Sequence, residues 1–340
     1  MKLQFERDFI HLSIIYSEAM MNPSEQVLIR AKNVSRYFDA HCAVDGLSFE
    51  VKRGEVVGLL GPNGAGKSTT LKMLSGNLAP SNGEIIVNQF DLFEQPKKAK
   101  QELGFLSDTP PLYKEFSVRE YLLFCAKLNR IAKSMQNSAI QTAIERCGLE
   151  SVADKLIHNL SKGFQQRVGI AQAVIHSPQV IILDEPTVGL DPIQIIEIRN
   201  LIRQLGNDHS IILSTHILPE VMTTCDRVLI INQGKIVLEE STETLKHRMD
   251  SSCLIVGMYQ PPNFDELMAI EGIDRIEKAG LNKFRMHHSK QINPAEQIIQ
   301  QAVEKNWRLF EISPEHLSLE EIFLNITTRE HKLPEEDVHQ

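Results

Sequence analysis

Val56-Val57-Gly58-Leu59-Leu60-Gly61-Pro62-Asn63-Gly64-Ala65-Gly66-Lys67-Ser68 is the segment on which the fold turns. An apolar strand-like run enters a complete G-x-x-x-x-G-K-[ST] pattern, and a helical stretch follows from Ser68 to Leu74. Glycines let the backbone curl until successive N–H groups face one anion, and the helix behind them adds the positive end of its dipole. In such a loop Lys67 reaches the β and γ phosphates of a nucleotide, and Ser68 offers its hydroxyl to Mg²⁺. Gly61, Pro62, Asn63, Gly64, Ala65, Gly66, Lys67, Ser68 and Thr69 are the nucleotide-binding candidates. A tight Gly-rich turn is the alternative, and the strand before and helix after it favour phosphate binding.

Outward from this loop, short runs apolar on both sides of the chain recur at 180–183 and 211–213, as a buried, largely parallel sheet requires. Between about 104 and 159 the period becomes helical, with Val118, Tyr121, Leu122 and Cys125 on one stripe. The division expected is an N-terminal extension over 1–26 and a nucleotide-binding α/β domain over 27–245, with a helical subdomain at about 104–167. A small C-terminal α/β domain follows over 253–328, after the polar stretch 241–252, and a tail over 329–340. The extension reads either as an accessory helix or as an upstream start.

The 340 residues suffice for about two domains, and 42% apolar against 24% charged composition excludes wholesale disorder and a disulfide-dense miniprotein. Thirty-six basic against forty-four acidic side chains leave a net charge of −8, so no nucleic-acid partner is expected. No apolar run approaches the roughly 18 residues of a membrane span, and charges at Glu6, Arg7 and Asp8 interrupt any signal-peptide core. The five cysteines are widely spaced and lack a C-x-x-C pair, which points to reduced thiols in the cytoplasm.

A phosphate loop does not choose among kinases, GTPases, motors, helicases and transport ATPases. The next element is Val180-Ile181-Ile182-Leu183-Asp184-Glu185, a buried strand ending abruptly in two carboxylates at the edge where open α/β sheets bind ligands. Asp184 suits Mg²⁺ held through water, and Glu185 suits polarisation of an attacking water. Alone, such a pair is more often a helix cap or a solvated turn, and the phosphate loop reverses that reading. Upstream, Leu160-Ser161-Lys162-Gly163-Phe164-Gln165-Gln166-Arg167 places Ser161 to cap a helix and Gly163 to leave N–H groups open to an anion.

With these residues the chain resembles the ATP-binding cassette family, whose LSGGQ signature precedes an aspartate-glutamate strand. The resemblance implies an α/β P-loop NTPase core of ABC ATPase type with a helical subdomain, ATP and Mg²⁺ as ligands, and ATPase activity. It assigns Tyr37 as the adenine platform and Asp191, in Gly189-Leu190-Asp191, as the D-loop. It also assigns His216, after the strand 211–214, to the γ-phosphate, beside Glu185 and Lys67 as catalytic residues. Each has a plainer reading: a half-buried aromatic, a turn residue before Pro192, a strand-end histidine. Two departures stand out. Asp108 replaces the usual glutamine, leaving it able to meet Mg²⁺ through water, and the signature reads LSKGF, with Lys162 and Phe164 in altered positions.

A signature lies too far from its own phosphate loop in that family, so the resemblance implies that Ser161 and Gly163 contact ATP held by a second ATP-binding subunit. An identical copy is the simplest supply. It further implies separate membrane-spanning permease subunits, contacted near Thr109-Pro110-Pro111-Leu112-Tyr113, and a peripheral place on the inner face of the cell membrane. The signature and the C-terminal addition, with its 319–324 segment, resemble multidrug-exporter and gliding-motility subfamilies. The rival is a soluble cassette ATPase acting on ribosomes or nucleic acid.

Overall fold

The computed structural model describes residues 25–249, 253–289 and 292–314. The expected segments 1–24, 319–324 and 329–340 lie outside them. Two compact units divide at Thr242 and Glu243.

The first unit opens on an antiparallel layer. Strand β1 (Val27–Phe38) pairs with β2 (His41–Lys52) on one side and, on the other, with β4 (Asn82–Val87), beside which lies the short β5 (Phe90–Asp91). The sequence predicts a largely parallel sheet and no such layer. Register shifts between Ala31 and Val34 and between Val34 and Arg36 break the alternation of buried and exposed residues that marks a strand.

The main sheet holds six strands. In spatial order they are β10 (Lys235–Ser241), β9 (Arg227–Asn232), β3 (Val56–Leu60), β8 (Ser210–Thr215), β7 (Val180–Asp184) and β6 (Leu103–Leu106). All neighbours run parallel except β10, which pairs antiparallel with β9 at the edge. Every residue of β3, β7 and β8 is buried, as expected of strands covered on both faces. Leu28, Ile29, Leu59, Leu71 and Ile85 join the two sheets in one core. The parallel register sets Leu60 beside Thr215 and Asp184 beside Ser214, so their following loops leave from one edge.

The helical segment begins later than the expected 104, because Leu103–Leu106 is the sixth sheet strand, buried against β7. Helix α1 (Lys67–Leu74) follows the phosphate loop and α2 (Pro96–Gln101) precedes β6. The helical segment proper comprises α3 (Val118–Leu128), α4 (Lys133–Arg146) and α5 (Lys162–Val174). Ser117 and Glu120 form a reciprocal capping box that starts α3. Helices α6 (Pro192–Gly206) and α7 (Leu218–Thr224) flank β8, and α8 (Thr242–Met249) follows β10.

The helical segment meets the core at His209, which is 4% exposed. Its Nδ1 lies 2.7 Å from the Pro178 carbonyl and its Nε2 3.2 Å from Arg146 Nη1. Nδ1–H donating to Pro178 while Nε2 accepts from Arg146 satisfies both, and that is the neutral tautomer. Burial holds the His209 pKa below its ordinary value, as it does for His176, which meets the Leu103 carbonyl at 3.0 Å. The unfolded chain therefore binds more protons, and the stabilising contribution, full above about pH 6.5, falls away on acidification. A lower melting temperature is expected between pH 7.5 and 5.5, and His209→Gln should flatten that slope in parallel thermal melts.

The second unit is an antiparallel sheet in the order β12 (Ile273–Gly280), β13 (Lys283–His288), β11 (Cys253–Met258), β14 (Leu309–Pro314). Helices α9 (Phe264–Met268) and α10 (Ala295–Glu304) accompany it. Leu254, Val256, Met286, Ile298 and Trp307 form a separate core. Strand β12 escapes sequence reading because seven of its eight residues are half-buried or exposed and carry no apolar alternation.

Candidate functional site

At the carboxyl edge of the main sheet, the phosphate loop leaves β3 with two glycine requirements. A side chain on Gly61 would strike the Ile231 carbonyl, and Gly66, at φ 104°, brings its backbone against the Ala43 carbonyl. Gly66 is also the N-cap of α1 and supplies no side-chain acceptor, so the first-turn N–H groups have no side-chain cap. The helices headed by Ser117, Ser161 and Asp191 are capped by those side chains instead. Uncapped N–H groups behind a curled loop suit a phosphate.

Lys67 is 5% exposed, and its Nζ donates to the carbonyls of Gly61 at 2.8 Å and Pro62 at 3.2 Å. The same ammonium lies 3.4 Å from Glu185 Oε1, linking the loop to the end of β7. Ser68 Oγ donates to Asp184 Oδ1 at 3.1 Å, and Asp184 is 1% exposed. A hydroxyl and a buried carboxylate at that separation are the hard oxygen donors that Mg²⁺ takes, with phosphate and water completing its shell. Lys162 and Phe164, the altered signature positions, leave this donor set untouched, since among the described residues neither hydrogen-bonds to it.

Glu185 stands just beyond β7 at φ 48°, a left-handed conformation that is strained for a residue with a side chain. Ser214, named from the sequence only as a strand residue, holds it there. Its Oγ accepts from the Glu185 backbone N–H at 2.9 Å while donating to Asp184 Oδ1 at 2.6 Å. Across the site, His216 Nδ1 lies 3.1 and 3.3 Å from the two Glu185 carboxylate oxygens. A carboxylate only accepts, so Nδ1 carries the proton and Nε2 is left for a further partner. Lys67, Ser68, Asp184, Glu185 and His216 thus converge in one place.

Other candidates lie apart from that cluster. Tyr37 is 42% exposed and paired across β1 and β2 with Cys42, one residue before the Ala43 carbonyl that abuts Gly66. Hydrogen bonding to Cys42 raises its hydroxyl pKa. Asp108 is exposed and accepts from its neighbour Thr109 N–H at 2.7 Å, with no hydrogen bond to Ser68 or Asp184. Asp191 caps α6, where its Oδ1 accepts from Gln194 N–H at 2.9 Å. Ser161 caps α5 at 3.4 Å from Phe164 N. A side chain on Gly163 would meet Gln194, and one on Gly189 would meet Lys162 Nζ. The signature therefore packs on the D-loop of its own chain and forms no hydrogen bond with Gly61–Thr69.

Comparison with known proteins agrees with this arrangement. The family model described as ABC transporter matches residues 44–188. The linearmycin resistance ATP-binding protein LnrL of Bacillus subtilis is 30% identical over 310 residues, covering 89% of this chain and 99% of that protein. The Nod factor export ATP-binding protein I of Rhizobium is 33% identical over 312 residues, covering 90% and 98%. Among solved structures, cbiO1 from Clostridium perfringens, part of the ABC transporter complex cbiONQ, superimposes with a TM-score of 0.61 at 30% identity. It covers 66% of this chain and 92% of its own. ATP-binding subunits of this kind dimerise and work with membrane permease subunits, and no described helix here is long and apolar enough to cross a membrane. The phosphate loop, the acidic strand end and the matches across nearly the whole chain place it in one family: it belongs to the ABC transporter ATP-binding proteins and is an ATP-binding, ATP-hydrolysing α/β subunit.

Proposed function

We propose that the chain drives an exporter-type ABC transporter, with Glu185 as general base, His216 as its orienting partner and Lys67 as the phosphate-binding cation. The observation that carries this reading is the convergence of Lys67 and His216 on the Glu185 carboxylate, at 3.4 and 3.1 Å. Ser68 and Asp184 would hold Mg²⁺, Asp184 through water, and the ion would neutralise phosphate charge. Gly61 to Thr69 would wrap the phosphates, and the Tyr37 ring would stack on adenine. Asp108, exposed and bonded through one oxygen to Thr109 N–H, would reach the ion only through water.

Glu185, held by Ser214 and His216, is set to accept a proton from water attacking the γ-phosphate. Lys67 is set to pass from the loop carbonyls to phosphate oxygens, which are stronger acceptors because they are charged. Ser161, Gly163 and Asp191 belong to the ATP held by a second copy of the chain, since their own chain keeps them off its phosphate loop. ATP binding then favours the closed pair, and hydrolysis releases it.

Relatives named for antibiotic resistance and for Nod factor export support the outward direction. The permease contact falls at 109–113, and the chain sits on the inner face of the membrane. Affinity purification of the tagged chain from detergent-solubilised cells should bring down a protein with several membrane spans. Recovery with ribosomes or nucleic acid in its place would contradict the transport reading.

A further inference from the structure

Glu220 is a carboxylate that the mechanism above does not use, and it is only 3% exposed. Thr187 Oγ1 donates to it at 2.9 Å from each carboxylate oxygen, Thr215 Oγ1 donates at 2.9 Å, and Arg199 Nη2 lies at 3.3 Å. Thr187 is 4% and Thr215 0% exposed. Burying a carboxylate is costly unless donors surround it, and here donors arrive from three separate elements.

Their positions in the chain give the cluster meaning. Thr187 lies two residues after Glu185, and Thr215 immediately precedes His216. Thr215 Oγ1 also accepts from the Ile217 N–H at 3.0 Å, so the hydroxyl that donates to Glu220 also holds the backbone just after His216. One carboxylate therefore ties the loop after β7 to the end of β8, the two segments whose side chains meet 3.1 Å apart at Glu185 and His216. Two hydroxyls and a guanidinium all point donors at Glu220, so an acceptor-only carboxylate fits where an amide would leave one donor unmatched.

We infer that Glu220 is a positioning residue for hydrolysis, fixing the separation of Glu185 and His216 through the hydroxyls of Thr187 and Thr215. The inference rests on the assignment of Glu185 and His216 proposed above. Small displacements of a catalytic group lower turnover steeply while leaving phosphate binding in place. The effect belongs in kcat.

Thr187→Val keeps the shape of the side chain and removes its donor, whereas Thr187→Ser keeps the donor. In the full-length chain, Thr187→Val is expected to lower kcat for ATP about 10-fold or more. KM and equilibrium ATP binding should stay close to the parent's, while the lost donor to a buried carboxylate lowers the melting temperature modestly. Thr187→Ser should restore most of the turnover. A purely structural role would move the melting temperature together with KM. Thr215→Val provides the same reading from the other strand if Thr187→Val does not fold. Parental kcat in the valine variants, or equal loss in Thr187→Ser, overturns the inference. Glu185→Gln measured alongside separates the levels: if it hydrolyses ATP normally, the Glu185 assignment itself has failed.

Discussion

Glu185→Gln is expected to bind ATP with near-parental affinity and to lose on the order of 100-fold or more of its hydrolysis rate. The amide has nearly the same shape and still fits between Lys67 and His216, 3.4 and 3.1 Å away. It has no basicity with which to accept a proton from water. The backbone conformation at φ 48° is held by Ser214 through the Glu185 main-chain N–H, so the substitution leaves that tether intact. Loss of turnover without loss of binding is the signature of an interaction made in the transition state alone. Single-turnover hydrolysis beside equilibrium nucleotide binding checks it, and near-normal turnover would remove Glu185 from the role of base.

Lys67→Ala should act at the earlier step and weaken ATP binding itself by on the order of 100-fold. The ammonium is buried within the phosphate loop, where few waters can replace it, and it donates to the loop's own carbonyls. Charge-assisted hydrogen bonds to phosphate are among the strongest a side chain makes, and two of them at about 1.5 kcal/mol each account for the loss. Removing the side chain also strips the donor from the Gly61 and Pro62 carbonyls and the counter-charge from Glu185. Titration with ATP by calorimetry measures the change. Unchanged affinity would contradict the phosphate-binding assignment, and a collapsed melting temperature without nucleotide would expose a structural contribution.

The parts of the fold legible in the sequence are those whose signal is local. Val56–Leu60 reads as a strand to the residue because four apolar side chains around Gly58 run straight into Gly61, and burial on both faces imposes that pattern. Asp184 and Glu185 stand out because charge follows four apolar residues without transition. Strands β1 and β2 are silent because bulges shift the pairing and each shift reverses which face is buried. Ser214 and Glu220 are silent for another reason. An ordinary serine and an ordinary glutamate acquire meaning only when the parallel register sets Ser214 beside Asp184 and folds α7 back over Thr187. Asp108, expected from its motif position to meet Mg²⁺ through water, makes no direct hydrogen bond to Ser68 or Asp184, and one of its carboxylate oxygens accepts from Thr109 N–H.

Light scattering on the Glu185→Gln chain during size exclusion, with and without Mg-ATP, tests most directly whether Ser161 and Gly163 complete a second subunit's site. The signature packs beside its own D-loop and forms no hydrogen bond with its own Gly61–Thr69, so ATP held by both phosphate loops should convert monomer to dimer. Lys67→Ala should not shift under the same conditions. A Glu185→Gln protein that binds ATP and remains a monomer at all concentrations would contradict pairing of identical subunits through ATP.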